Sequence, residues 1–237
     1  MLNVDRLNAW YGPAQILFDV TLTVGQGEVV CLMGRNGAGK STTMKSIMAM
    51  LDRRQGKITW LGHDISLWPT HRIAAAGLGF VPQERRIFTD LTVAENLEVG
   101  RQPARQSNET ALLPVWTQER VFDLFPNLAR MGGRATSKMS GGEQQMLSVA
   151  RTLMGNPCLV LLDEPAEGLA PVLIEQMADM IQTLKKQGVS ILLSEQNLHF
   201  ARMVSDRAYV IEKGAITYSG SMQDLMGKQL GATRKNQ

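Results

Sequence analysis

The chain has 237 residues, 44% of them apolar, which is enough to bury the core of one large domain or two modest ones. The 25 basic residues exceed the 22 acidic ones by only three and form no Lys/Arg block, which argues against nucleic acid as a partner. The amino terminus lacks a signal peptide's apolar stretch, and no apolar run approaches the roughly 20 residues that span a bilayer, so we expect a cytoplasmic protein that meets a membrane only through a partner.

The first third of the chain is predicted to place antiparallel strands before a buried strand. Apolar residues alternate over 16–24, which indicates a half-buried strand, and the glycines at 25 and 27 end it. The continuous apolar run 29–33 is typical of a fully buried strand. After Gly34 the pattern becomes helical to about Met50, and a further strand signal follows at 57–60.

The rest of the chain alternates between helical and strand patterns of apolar residues. A helical stretch near 73–76 precedes a short strand at 78–81, and residues 84–155 are nearly all helical in pattern, with 102–117 the most loop-like part. Strand signals return at 159–162, 189–193 and 208–211. Pro171 and Gly188 mark the start and end of the helix between the first two. This alternation predicts a parallel sheet covered on both faces.

Residue types that often bind metals are given structural roles here. Cys31 and Cys158 lie inside apolar runs, where a reduced thiol packs as a small hydrophobe. The methionines at helical spacing among apolar residues are expected to fill the core: Met44, Met48, Met177 and Met180. No histidine has a second ligand at metal spacing, which leaves His63, His71 and His199 without a predicted metal role.

A phosphate-binding loop is the strongest chemical signal in the sequence. Between the buried strand and the following helix the chain reads Gly34-Arg35-Asn36-Gly37-Ala38-Gly39-Lys40-Ser41. Glycines let backbone N–H groups converge on phosphates at a helix N-terminus, Lys40 adds a positive charge, and the Ser41 hydroxyl can bind Mg²⁺. The alternative, a glycine-rich turn with no ligand, does not explain the lysine and serine that follow.

Two carboxylates follow the apolar strand 159–162. Asp163 is placed to hold Mg²⁺, while Glu164 points elsewhere and can accept a hydrogen bond from an attacking water as a general base. An Asp-Glu pair after a strand is common, and its meaning here depends on the phosphate-binding loop upstream. Together the two motifs predict hydrolysis of a nucleoside triphosphate.

The segment Ser140-Gly141-Gly142-Glu143-Gln144 resembles the signature motif of ABC ATPases, and the likeness extends over essentially the whole chain. Ser140 and the two glycines open a helix and can form a second anion site. The spacing of Ser140 and Glu143 also fits a capping box, and both roles can hold together. In that family the bound phosphate belongs to ATP on an opposing subunit, which implies a head-to-tail dimer with a second ABC ATPase or with itself.

The resemblance implies further site residues. Residues 34–42, Thr42 included, would bind ATP, and Tyr11 would stack on adenine, with Trp10 as the competing candidate. Gln83, expected to end the strand 78–81, would contact Mg²⁺ and the lytic water. Gln196 stands where most of the family has a catalytic His.

Other departures from the family pattern indicate one subfamily of ABC ATPases. The signature begins with Met139 and has Glu143 where Gln is usual, and Pro171 replaces an Asp that communicates with the opposite site. With residues 164–171 and 194–197, these features resemble the second ATPase of branched-chain amino acid importers. Importers of urea and short amides share much of this pattern and are the alternative.

The resulting expectation is an α/β P-loop NTPase core of ABC type, with a mixed sheet, an antiparallel β layer and an inserted helical subdomain. One nucleotide-binding domain would span 1–237, with the core at 1–83 and 156–237 and the helical subdomain at 84–155. ATP and Mg²⁺ are the expected ligands, and two transmembrane permease subunits on the inner face of the cell membrane are the expected partners. A soluble ABC-type ATPase would carry a long coiled coil or tandem domains, and a P-loop kinase would not need the Ser140 motif.

Overall fold

The computed structural model describes residues 1–104 and 113–227. Its strands are β1 Leu2–Tyr11, β2 Ala14–Val24, β3 Val29–Met33, β4 Arg53–Trp60, β5 His63–Asp64, β6 Leu78–Val81, β7 Leu159–Asp163, β8 Ser190–Glu195, β9 Arg207–Glu212 and β10 Ala215–Ser221. Its helices are α1 Lys40–Ile47, α2 Thr70–Ala75, α3 Val93–Gly100, α4 Gln118–Leu124, α5 Pro126–Ala129, α6 Gly141–Leu153, α7 Pro171–Lys186 and α8 Leu198–Val204. No helix in these ranges is both long and apolar enough to cross a membrane.

The first sheet is antiparallel, in the order β2-β1-β4-β5, which confirms the antiparallel layer expected from the first sixty residues. Strand β1 was not predicted, because the register of its apolar side chains shifts at bulges after Val4 and Leu7. Tyr11 ends β1 and pairs with Ala14 across the turn that joins β1 to β2.

The second sheet has the order β10-β9-β3-β8-β7-β6 and is parallel except for β10. Strands β3, β7 and β8 are buried at every residue, as expected for central strands covered on both faces. Val29, Cys31 and Met33 contribute to one hydrophobic cluster, whereas Val30 and Leu32 contribute to the other. An antiparallel sheet, a largely parallel sheet and the helices along the chain together confirm the predicted mixed α/β class.

The carboxyl ends of β3, β7 and β8 lie at one edge of this sheet, because the strands run parallel. They deliver the phosphate-binding loop, the Asp163-Glu164 pair and the segment beginning at Gln196. Parallel pairing thus brings the phosphate-binding loop together with two segments that lie more than 100 residues after it in sequence.

The segment 84–155 contains α3, α4, α5, a 3-10 turn at Thr136–Lys138, and α6. The prediction of a mostly helical segment was too broad, because turns and extended stretches separate these short helices. The loop-like stretch predicted at 102–117 is irregular over 102–104 and 113–117, and its residues 105–112 lie outside the described part of the chain. The boundaries of the helical subdomain stay a prediction.

Both thiols and the four methionines for which a core role was predicted occupy the core. Both cysteines are buried outside any disulfide. The four methionines at helical spacing are at most 3% exposed. All three histidines are exposed, and the described residues include no cluster of three or more His, Cys, Asp or Glu that could hold a metal.

Candidate active site

The phosphate-binding loop connects β3 to α1 and depends on glycine at two positions. Gly37 and Gly39 have φ angles of +78° and +112°, a region that favours glycine. A Cβ atom on Gly37 would meet no other atom within 4 Å, so open space lies beside this backbone. Gly39 is the N-cap of α1, where no side chain caps the helix. The loop therefore presents unsatisfied N–H groups and a positive helix end, as a phosphate requires.

Lys40 is held at the base of this loop. Its side chain is 3% exposed, and its Nζ donates to the carbonyls of Gly34 at 2.8 Å and Arg35 at 3.1 Å. The same Nζ lies 2.9 Å from Oε1 of Glu164, so a buried ion pair joins the loop to the end of β7. Arg35 and Asn36 are exposed on the loop, whereas Ala38 and Thr42 are buried beneath it.

Asp163 and Ser41 form an oxygen pair suited to a hard cation. The Ser41 hydroxyl donates to Oδ1 of Asp163 at 3.0 Å, and the Ser194 hydroxyl donates to the same oxygen at 2.6 Å. Burial raises the pKa of Asp163, while these two hydrogen bonds act against the rise. One carboxylate and one hydroxyl beside a phosphate site fit Mg²⁺, which binds few protein ligands and completes its shell with phosphate and water.

Glu164 has a strained backbone and an unpaired oxygen. Its φ angle is +48°, which costs a non-glycine residue roughly 1–2 kcal/mol. Its N–H is held by the carbonyl and hydroxyl oxygens of Ser194. Oε1 pairs with Lys40, whereas Oε2 is buried and receives no hydrogen bond from any described residue. A buried carboxylate oxygen without a donor fits a bound water beside the phosphate site.

Gln196 follows β8 directly and shares an open cleft with the phosphate-binding loop. This cleft of about 790 Å³ is lined by Gln196, by residues 34–38 of the loop, and by Glu212 and Lys213 at the end of β9. The side chain of Gln196 is exposed toward solvent. Its placement is compatible with contact to a phosphate held by the loop.

The other predicted residues are not drawn together. Gln83 lies two residues beyond β6, is exposed, and donates from its amide to Glu167 in the segment after β7. No hydrogen bond among the described residues joins it to Ser41 or Asp163. Tyr11 is 48% exposed, while the Trp10 ring is covered by the Arg53 guanidinium 4.5 Å away. Of the two candidate aromatic rings, Tyr11 is therefore the one that is not covered by Arg53.

The Ser140 motif forms the start of α6. Ser140 accepts from the Glu143 N–H at 3.3 Å, and its own N–H donates to the Glu143 carboxylate at 2.7 Å, so the predicted capping box is present. Gly142 packs against Leu173 of α7 so closely that a Cβ would lie 2.2 Å from its methyl carbon. Within the described residues, no hydrogen bond connects Ser140 to the phosphate-binding loop of the same chain.

Two functional neighbours were missed by sequence reasoning. Ser194 holds both Asp163 and the Glu164 backbone, and Glu195 is a 2% exposed carboxylate at the end of β8. Burial raises the pKa of Glu195 to about 7, against three backbone hydrogen bonds that lower it. The signal was a charged residue that directly ends an apolar strand, which is costly unless its partners are fixed.

Comparison with known proteins agrees with this geometry. The ABC transporter family model matches residues 17–167. The chain is 40% identical over 216 residues, 91% of each chain, to BraG of Pseudomonas aeruginosa, a high-affinity branched-chain amino acid transport ATP-binding protein. It is 34% identical to LptB of Haemophilus influenzae, a lipopolysaccharide export system ATP-binding protein, over 97% of this chain and 94% of LptB.

The fold matches that of a solved ABC transporter subunit. A nucleotide-free ATP-binding cassette from an ABC transporter superimposes with a TM-score of 0.82 at 26% identity, covering 98% of this chain and 95% of that one. The chain therefore belongs to the ABC transporter family as an ATP-binding subunit that hydrolyses ATP to drive transport.

Proposed function

We infer that this subunit powers the import of branched-chain amino acids. The observation that carries the inference is the 40% identity to BraG over 91% of both chains, which exceeds the 34% identity to the lipopolysaccharide export subunit. An importer of urea or short amides is the alternative, because such importers share the motif variants at 139–147, 164–171 and 194–197. The solute itself does not reach this subunit.

The phosphate-binding loop and Lys40 position the nucleotide. Within residues 34–42, backbone N–H groups that make no hydrogen bond inside the chain bind the β- and γ-phosphate oxygens, and Lys40 offers its charge to the γ-phosphate. Ser41 and Asp163 hold Mg²⁺, with Gln83 as a further ligand once its amide leaves Glu167. When bound, Mg²⁺ neutralises charge that develops on the phosphate oxygens.

Glu164 and Gln196 act on the lytic water and the γ-phosphate. The buried Oε2 of Glu164 receives a hydrogen bond from the water and orients it for attack on the γ-phosphorus as ADP leaves. Gln196 clamps the phosphate through its amide, since a Gln has no pKa near neutrality and moves no proton. The exposed ring of Tyr11 stacks on the adenine.

A second cassette completes the site. Ser140 and the glycines after it start α6, and this helix N-terminus binds the γ-phosphate on the opposing subunit in a head-to-tail dimer. The core at 1–83 and 156–237 carries the phosphate-binding loop, while the helical subdomain at 84–155 carries this second anion site. Both sites must meet before turnover is fast.

The permease is expected to dock beside the Gln83 segment. Exposed apolar side chains of Met50, Phe88 and Val99 line an open cleft there, between α2, α3 and α6. Such a cleft suits an apolar segment of a membrane subunit. The chain would thus lie on the inner face of the cell membrane through its two permease partners.

Uptake in cells tests the solute. Cells that lack this subunit should take up little radiolabelled leucine at micromolar concentration. A plasmid with the unchanged chain should restore uptake, and Glu164→Gln should not. Normal leucine uptake in the deletion strain, with loss of urea or acetamide uptake, would replace the amino acid assignment by the amide one.

Turnover of the purified transporter tests the hydrolytic role. We expect Glu164→Gln to bind ATP but to lower kcat by roughly 10² or more, because the water loses its positioned base. Glu98→Gln, which removes an exposed carboxylate on α3, is the matched control and should keep normal turnover. Near-normal turnover by Glu164→Gln would refute the role given to this carboxylate.

A further inference from the structure

Glu195 lies where three segments of the site meet, and none of the roles above uses its side chain. Its carbonyl oxygen accepts from the Gly34 N–H at 3.2 Å, at the start of the phosphate-binding loop. Its Oε1 accepts from the Ala166 N–H at 3.2 Å, two residues after Glu164. Its Oε2 accepts from the N–H groups of Gln196 at 3.2 Å and Asn197 at 3.3 Å.

A carboxylate is suited to this position because every one of its side-chain partners is a donor. Its two oxygens together accept three N–H groups from two different loops, and neither oxygen needs to donate. In Glu195→Gln the amide NH₂ group would face backbone N–H donors, and two donors cannot form a hydrogen bond with each other. An Asp would be one methylene shorter and could not reach both loops. Burial of the charge is costly, and these charge-assisted hydrogen bonds offset part of that cost.

The two loops that Glu195 joins carry the residues assigned to hydrolysis. The Ala166 N–H belongs to the turn that begins at Glu164, whose own N–H is bound by Ser194 of the same strand. The Gln196 N–H belongs to the residue assigned to clamp the γ-phosphate. Movement of either loop relative to β8 would break hydrogen bonds to a single buried carboxylate.

We propose that Glu195 is a positioning residue that fixes the Glu164 turn and the Gln196 segment relative to each other and to the phosphate-binding loop. The proposal rests on the proposed function, since it gives Glu195 its effect on turnover through Glu164 and Gln196. Glu195 itself touches neither ATP nor the attacking water. Its loss should therefore lower kcat more than it changes KM for ATP.

Residue-resolved amide exchange on the full chain tests the geometry without any turnover. In Glu195→Gln, the amides of Ala166, Gln196 and Asn197 should exchange at least about 10-fold faster together, while β3, β7 and β8 keep their protection. Unchanged exchange at these three amides would overturn the proposal. So would a uniform rise through the three strands, because that outcome means general loosening rather than lost positioning.

A matched control and a second variant keep this test decisive. Glu28 accepts the Gly25 N–H at 2.7 Å just before β3, at the opposite end of that strand from the phosphate-binding loop. Glu28→Gln should therefore speed exchange at Gly25 and leave the Ala166 and Gln196 amides unchanged. If Glu195→Gln does not fold, Glu195→Asp replaces it, and at least one of its two loops should lose protection. Full protection in Glu195→Asp would overturn the proposal.

Turnover of the assembled transporter tests the consequence. Glu195→Gln should lower kcat by about 10-fold and change KM for ATP by less than about 3-fold. Because Glu195 acts through Gln196 as well as through Glu164, adding Gln196→Ala to Glu195→Gln should cost clearly less than the about 10-fold that Gln196→Ala costs in the unchanged chain. Full additivity, or normal kcat in Glu195→Gln, would overturn the proposal. Normal turnover in both Glu164→Gln and Gln196→Ala would instead reject the proposed function, while the exchange test of Glu195 would still stand.

Discussion

Replacing Glu195 by Gln should change how the stability of this chain depends on pH. Burial raises the native pKa of Glu195 from its ordinary 4.5 to about 7. Between these values the native state holds a proton that the unfolded state has lost, so stability falls as pH rises through this window. The groups that face Glu195 are the Glu164 carboxyl, whose charge adds to the rise, and the Cys31 thiol of β3, whose own pKa is raised chiefly by burial.

The magnitude follows from the difference between the ordinary pKa of 4.5 and the native pKa of about 7, at roughly 1.4 kcal/mol per pH unit. Integrated from pH 5 to pH 8, Glu195 should lower the free energy of unfolding of the unchanged chain by roughly 2–3 kcal/mol. This contribution is fully present below about pH 4.5 and lost above about pH 7. A Gln at this position does not titrate, so the variant should lack this part of the pH dependence.

Urea denaturation of the isolated chain at pH 5, 6, 7 and 8 measures this effect. The difference in free energy of unfolding between the unchanged chain and Glu195→Gln should shift by roughly 2–3 kcal/mol across the series, in favour of the variant at high pH. Titrating groups that do not face Glu195 are common to both proteins and cancel. Glu98→Gln controls for the loss of one formal charge at an exposed site and should follow the unchanged chain. Parallel pH profiles for Glu195→Gln and the unchanged chain would refute the reasoning.

Three further predictions concern single side chains. Without nucleotide, Lys40→Met should lower the free energy of unfolding by roughly 3–5 kcal/mol, because it leaves the Glu164 carboxylate buried without its cation. In the same urea assay, adding Glu164→Gln to Lys40→Met should recover part of this loss. Asn96→Ala should cost roughly 2–4 kcal/mol, since the buried amide holds both the N–H and the carbonyl of Phe88; an unchanged denaturation midpoint would contradict this. Gln196→Ala should lower kcat of the assembled transporter by about 10-fold, whereas Gln196→His should largely preserve it. A new change in kcat near pH 6.5 in the pH profile of the His variant would show that proton transfer is possible at this position.

The sequence predicted the parts of the fold that depend on local pattern. Apolar runs located β3, β7 and β8, and the glycines with Lys40 located the turn between β3 and α1. Strand β1 was not predicted because its bulges disturb the alternation of apolar and polar residues that a strand should show. Strand β10 was missed because most of its residues are only half-buried and its sequence lacks a clear apolar face.

Contacts between distant segments could not be predicted from local pattern. The motifs placed Lys40, Asp163 and Glu164 in one site, but not the ion pair that joins Lys40 to Glu164. The Gln83 contact with Glu167 depends on how the segment after β6 packs against the turn after β7. Glu195 lies two residues beyond the apolar run 189–193, and its three backbone partners come from loops fixed by parallel pairing.

The burial of both thiols makes this chain convenient for site-specific labelling. Cys31 is completely buried and its pKa lies well above the ordinary value, which suppresses the reactive thiolate at neutral pH, and Cys158 is only 2% exposed. A maleimide reagent should therefore spare both in the folded protein. A fluorophore could then be attached to one introduced surface cysteine, for example on α4, without removing either native thiol, and the approach of two cassettes could be followed as energy transfer between labelled subunits.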